Sequence, residues 1–198
     1  MIKSAKYVTS FEKFDKSKNL EPLSQIAFVG RSNVGKSSLI NMIVNQRNLA
    51  ITSKTPGRTR LINFFEIKLN DANIHFVDLP GYGFAKASKS TQHGWGQHIT
   101  DFLVKSEHLE HVFVLLDIRH KPSKLDEAMV GFLQMQNIPA SIIATKCDKL
   151  SRPQLQIAIQ SLVKELGITK ESIIITSSQD KKGREEIISK LILVSNVD

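Results

Sequence analysis

GRSNVGKSS, residues 30–38, follows the apolar run Ile26-Ala27-Phe28-Val29 and leads into Leu39-Ile40. It fits the pattern G-x-x-x-x-G-K-[ST], with a strand expected before it and a helix after it. Glycines at 30 and 35 permit backbone conformations that a side chain would block. The N–H groups of Gly30, Arg31, Ser32, Asn33, Val34, Gly35, Lys36, Ser37 and Ser38 then turn inward around phosphates at a positive helix N-terminus. Lys36 is expected to reach the β- and γ-phosphates. Ser37 offers a hydroxyl to Mg2+, which prefers hard oxygen ligands.

Outward from this loop, apolar runs alternate with helical patterns. Strands are expected at Gln25–Val29, Leu61–Leu69, Asn73–Asp78, His111–Asp117, Ala140–Thr145 and Ser172–Thr176. Helices are expected at Lys36–Asn45, Thr91–Ser106, Lys124–Gln136, Arg152–Leu166 and Lys182–Val194. This order predicts a three-layer α/β domain around a six-stranded, mostly parallel sheet. Only Asn70 to Ala72 join the second and third strands, too few for a parallel crossover, so they form an antiparallel hairpin at one edge. Residues 1–24 read as a leader and 25–198 as one domain. Ligands of such sheets sit at the carboxyl ends of the strands.

Composition narrows the setting. The chain has 198 residues, 41% of them hydrophobic, which suits one globular domain. No apolar run approaches the roughly 20 residues that span a bilayer, and the first residues lack a signal-peptide core; a cytoplasmic location is the expectation. The one cysteine, Cys147, excludes an intrachain disulfide. A net charge of +8 favours polyanionic partners such as RNA.

TKCD, residues 145–148, bears on the base. Guanine presents two adjacent donors that one carboxylate, Asp148, accepts together. Adenine lacks that pair and is rejected. Thr145 opens the motif, the stem of Lys146 lies across the base, and Cys147 is a small packing residue. Ser177 and Ser178 bring backbone N–H groups toward the guanine carbonyl oxygen, and Thr176 before them is counted among the nucleotide-binding residues.

DLPGYG, residues 78–83, ends the third expected strand. Asp78 holds Mg2+ through water, and Leu79 and Pro80 lead to Gly81, whose N–H meets the γ-phosphate. Gly81 and Gly83 leave the following segment free to rearrange when that phosphate is lost. Upstream, SKTPGRTR carries Gly57, Arg58, Thr59 and Arg60, with Leu61 next. Thr59 is the candidate for a second hydroxyl on Mg2+, and Thr55 is its competitor. Lys36, Thr59 and Gly81 are the candidate catalytic residues.

GRSNVGKSS, TPGRT, DLPG, TKCD and TSS resemble, in order, the five signatures of TRAFAC-class GTPases. GRSNVGKSSLIN, SKTPGRTRLINFFE and DLPGYGFAK resemble more specifically the EngB group, also called YihA or YsxC, over nearly the whole chain from about Gln25. The resemblance implies a small GTPase that associates with the large ribosomal subunit or its precursor during assembly and is linked to cell division and septation. Two departures from the wider pattern stand out. Thr145 replaces the usual asparagine, as in this group. Tyr82 replaces a glutamine that orients the attacking water, so slow intrinsic hydrolysis is expected, about 10⁻⁴ to 10⁻² s⁻¹. Asn33 matches a position where related GTPases hold K+, which would steady charge on the leaving oxygen.

Other features stay open. The six histidines read as surface or loop residues. Trp95 is either a partner anchor or core. Arg58, Arg60, Lys86 and Lys89 flank the switch segments, suited to ribosomal RNA phosphates. A monomer suffices. A phosphoryl-transferring kinase leaves TKCD unexplained, whereas an RNA- or ribosome-binding scaffold with a structural guanine nucleotide would bind alike with GDP and GTP.

Overall fold

The computed structural model describes residues 1–14, 20–51, 61–83 and 95–195. In chain order the strands are β1 (Ile2–Phe11), β2 (Gln25–Gly30), β3 (Ile62–Leu69), β4 (Ala72–Asp78), β5 (Leu109–Asp117), β6 (Ala140–Thr145) and β7 (Ile173–Ile175). The helices are α1 (Lys36–Val44), α2 (Gln97–Lys105), α3 (Lys124–Met135), α4 (Arg152–Leu166) and α5 (Arg184–Val194). The strands form one sheet in the order β1-β3-β4-β2-β5-β6-β7. Neighbours from β4 to β7 run parallel, and β3 is antiparallel to both β4 and β1.

The central strands are apolar at nearly every position because both sheet faces are covered. Along β2, Ile26 and Phe28 face one layer while Ala27 and Val29 face the other. The first layer is closed by Leu39, Ile40 and Ile43 of α1 and Ile187 and Leu191 of α5. The second is closed by Phe102 of α2, Met129 and Leu133 of α3, and Leu162 of α4. Phe28 packs against Phe76 and Phe113 at centroid distances of 4.9 and 5.5 Å. Local signals set the helix ends. Ser123 and Asp126 form a capping box that opens α3. Gln154 Oε1 accepts from the Ser151 N–H at 2.9 Å to open α4, and Gly167 closes that helix at φ 61°.

The sheet has seven strands, not six. Ile2–Phe11, expected as part of a leader, pairs with β3, so the β3–β4 hairpin is not at the sheet edge. Register shifts between Ile2 and Ser4 and between Tyr7 and Thr9 break the apolar–polar alternation that would have marked a strand. Lys6 pairs with Glu66 at 3.0 Å, and Phe11 meets Phe64 at 5.5 Å. Helix α2 begins at Gln97, after Gly96, and not at Thr91; residues 91–94 lie outside the described set. Trp95 is core, against Phe132 at 5.7 Å and Tyr82 at 6.3 Å. His75 and His111 are also buried, on β4 and β5, against the expectation of surface histidines.

Candidate functional site

The phosphate loop leaves the carboxyl end of β2 and enters α1. At Gly30 a Cβ would stand 2.9 Å from the Leu115 carbonyl oxygen, so close packing against β5 requires glycine. Gly35 has φ 104°, and Asn33 has φ 64°, a conformation asparagine tolerates better than most residues. The loop is stitched to the segment after β4 by two backbone bonds. Ser32 N–H donates to the Tyr82 carbonyl at 3.0 Å, and Tyr82 N–H donates to the Gly30 carbonyl at 3.2 Å. A Cβ on Gly81 would lie 3.1 Å from the Ser32 backbone. Gly81 therefore stands directly against the loop.

Lys36 and Asp78 are both buried, and the lysine ammonium donates to Asp78 Oδ1. A buried charge is tolerated when an opposite charge meets it. This brings together the two side chains expected at the γ-phosphate and the metal. Ser37 is half-buried in the first turn of α1, and Ser38 is exposed. The donor set of Ser37 hydroxyl and Asp78 carboxylate is hard oxygen, which fits Mg2+. Among the described residues, no group of three or more His, Cys, Asp or Glu gathers as a metal cluster. Leu79 and Pro80 are buried.

Tyr82 turns its side chain into the core. It is 3% exposed, and its hydroxyl donates to Asp126 Oδ1 at 2.8 Å. It does not stand in for a water-orienting glutamine. Gly57, Arg58, Thr59, Arg60 and Thr55 lie outside the described residues, as do Lys86 and Lys89. Leu61 is described, just ahead of β3.

The base motif leaves the carboxyl end of β6 and reaches back to the same loop. Thr145 Oγ1 donates to the Val34 carbonyl at 2.8 Å, with the Leu116 carbonyl at 3.1 Å as its alternative. Lys146, at φ 63°, extends its ammonium to the Asn33 carbonyl at 2.8 Å and to Asp117 Oδ2 at 2.9 Å. Cys147 is buried, and burial pushes its thiol above the ordinary value, consistent with a packing role. The Asp148 side chain is 18% exposed, and Lys149 Nζ lies 3.0 Å from its Oδ2. Hydrogen bonds from Lys149 and from Ser177 hold that carboxyl below the usual range, so it stays an anionic acceptor. The Cys147 N–H donates to the Thr176 carbonyl at 3.1 Å, joining the base motif to the segment after β7. The Ser177 N–H donates to the Lys182 carbonyl at 3.2 Å, and Ser178 beside it is exposed.

Sequence reading missed Asp117 and Arg119. Asp117 ends β5 and accepts from Arg119 Nε at 2.9 Å and Nη2 at 2.7 Å as well as from Lys146. Burial alone would raise its pKa; these donors outweigh burial and hold the carboxyl well below the usual range. The available signal was a charge closing the apolar run VFVLLD, at the sheet end where ligands gather. A cavity of about 420 Å³ lies beside the loop, lined by Arg31, Asn33, Asp117, Arg119, Lys121 and Lys146 among others.

Fold and loop together define the class, a P-loop GTPase domain. The family described as "50S ribosome-binding GTPase" matches residues 25–146. Proteins named "Probable GTP-binding protein EngB" are similar over most of the chain. That of Desulfatibacillum aliphaticivorans is 42% identical over 201 residues, covering 100% of this chain and 95% of its own length. That of Clostridium kluyveri is 45% identical over 197 residues, covering 96% and 95%. That of Bacillus subtilis is 46% identical over 165 residues, covering 83% of each. The chain belongs to the EngB group of GTP-binding proteins within this family. A crystal structure of a probable GTP-binding protein engB shares the fold at TM-score 0.65 and 21% identity, covering 88% of this chain and 100% of its own. Aquifex aeolicus Era bound to GDP.AlF4- shares it at TM-score 0.71 and 24% identity, covering 87% of this chain and 57% of its own.

Proposed function

We propose that this GTPase is a Mg2+-dependent switch that acts in assembly of the large ribosomal subunit, and through it in cell division and septation. The observation that carries the reading is the meeting of Lys36 with Asp78 under a loop stitched to Gly81. Those are the groups a γ-phosphate and its metal would engage. In this reading the loop of residues 30–38 wraps the phosphates through N–H groups other than those of Ser32 and Val34, which donate to the Tyr82 and Arg31 carbonyls at 3.0 and 3.2 Å, and Asp148 accepts the two donors of guanine. Thr145 and Lys146 lock the base motif to Val34 and Asn33, so base and phosphate recognition share one rigid support. Ser37, Asp78 and Thr59 would hold Mg2+, which neutralises charge on the β- and γ-phosphates when bound. Residues 25–198 form the nucleotide-binding body, and β1 extends its sheet. The protein works as a cytoplasmic monomer.

Tyr82 is locked in the core, so its side chain does not orient water. That supports a slow intrinsic rate, raised by a partner. K+ near Asn33 is a second source of charge stabilisation, tested by turnover in K+ and Na+ at equal ionic strength; equal rates remove it.

The central test is co-sedimentation with ribosomal subunits. Binding to the large subunit with a non-hydrolysable GTP analogue and not with GDP is the expected result. Equal binding in both states would favour a scaffold with a structural nucleotide. For the base, Asp148→Asn is expected to weaken GTP binding by about 10²- to 10³-fold and to favour xanthine nucleotides, whose C2 carbonyl needs a donor. Unchanged GTP affinity by calorimetry refutes the assignment.

A further inference from the structure

The chain after Gly81 is pinned at three points of one residue. The Tyr82 N–H and carbonyl bind Gly30 and Ser32 of the phosphate loop at 3.2 and 3.0 Å. Its hydroxyl, at the far end of a buried ring, binds Asp126 Oδ1 at 2.8 Å. Asp126 is itself fixed: it is 4% exposed, and its Oδ2 accepts from the Ser123 N–H at 2.8 Å and the Ser123 hydroxyl at 2.7 Å. That pair opens α3. Burial, joined by the Asp126 carboxylate, raises the phenol well above its ordinary value, so it remains a donor. Gly83, next in the chain, has φ 81°, where side-chain-bearing residues are strained. Gly81 and Tyr82 are therefore held against the phosphate loop.

From this geometry we infer that Tyr82 is a positioning residue for the γ-phosphate sensor, with Asp126 as its anchor on α3. The inference rests on the reading that the Gly81 N–H meets the γ-phosphate. The sensor N–H is one residue before the pinned tyrosine, and its glycine packs directly against the Ser32 backbone. A ligand that reaches Gly81 gains from that preorganisation, and a ligand that ends at the β-phosphate does not. The Tyr82–Asp126 bond thus contributes to discrimination between GTP and GDP. It contributes nothing to guanine recognition, which is made at the other end of the site.

The experiment compares Kd for fluorescent GDP and a fluorescent non-hydrolysable GTP analogue, using full-length wild type, Tyr82→Phe and Asp126→Asn, each checked by thermal melting. Tyr82→Phe keeps the ring in the core and removes only the hydroxyl. The expected result is about 10-fold weaker binding of the GTP analogue, with GDP within about 2-fold of wild type. Asp126→Asn keeps an acceptor oxygen for the phenol and should show the same selectivity at about 3-fold, since a neutral acceptor is the weaker partner. A purely structural tyrosine would shift both nucleotides by one factor, and that outcome overturns the proposal, as does no shift in either. If Tyr82→Phe does not fold, the Asp126→Asn ratio decides on the same terms. Wild-type protein that bound neither nucleotide would overturn the reading of the site itself, a failure separate from that of the tyrosine.

Discussion

The two ends of the site are built from different material. At the phosphate end, backbone meets backbone: Ser32 with Tyr82, Tyr82 with Gly30, and a glycine at 30 that lets β5 approach. At the base end, side chains reach to backbone: Thr145 to Val34 and Lys146 to Asn33. Backbone geometry survives most side-chain changes but fails when a Cβ is added where none fits. A side-chain strut fails when its one polar atom is removed. The phosphate end should therefore be sensitive to steric addition, and the base end to chemical deletion.

The largest expected effect comes from a place where the phosphate end relies on a pair of buried side chains. Lys36→Ala leaves the Asp78 carboxylate buried without its partner, at a cost of about 3–5 kcal/mol. Urea unfolding of the nucleotide-free protein reads this directly. A loss under 1 kcal/mol would mean that water reaches Asp78 and that the pair is not structural.

His111 tests whether stability is set away from both ends. It sits near the amino end of β5, whereas the loop leaves the carboxyl end of the neighbouring β2, and its Nε2 lies 3.0 Å from Ser141 Oγ. Burial, aided by Lys190, lowers its pKa to about 4, against about 6.5 when unfolded. The unfolded chain binds the proton first as pH falls. The stability is whole above about pH 6.5 and is lost as pH drops toward 4, by at most about 3 kcal/mol. Unfolding midpoints measured at pH 7 and pH 5 should differ in that direction. His111→Asn should flatten the slope without changing guanine preference.

Gly30→Ala sharpens the steric half of the comparison. Its Cβ would meet the Leu115 carbonyl at 2.9 Å and the Leu115 Cβ at 3.1 Å, for a loss of about 1–3 kcal/mol. Thr145→Val tests the chemical half at nearly constant shape. It removes the bond to the Val34 carbonyl and should cost about 1 kcal/mol in thermal unfolding. If the alanine were silent and the valine severe, both ends would be held by side chains and the contrast would fail.

Particular residues show how far sequence carries. The five-helix order and the parallel core from β2 to β7 were legible, because doubly covered strands write apolar runs and helices write their own longer period between them. β1 was not legible, since its bulges scramble the two-residue period. Tyr82 read as a displaced catalytic position and Trp95 as open between two roles; their packing against each other placed both in the core. Asp117 was visible only as the last letter of VFVLLD until Arg119 and Lys146 converged on it.

The sequence by itself determined the chemistry on offer: a glycine-punctuated loop, a lysine, and carboxylates at the ends of apolar runs. Spacing and residue type suffice for that, because backbone freedom and local pattern are properties of short stretches. Tertiary structure alone decided which of those groups meet. Asn33 and Lys146 are 113 residues apart in the chain, and Lys36 and Asp78 are 42 apart. Only the side-by-side packing of β4, β2, β5 and β6 brings their ends to one edge of the sheet.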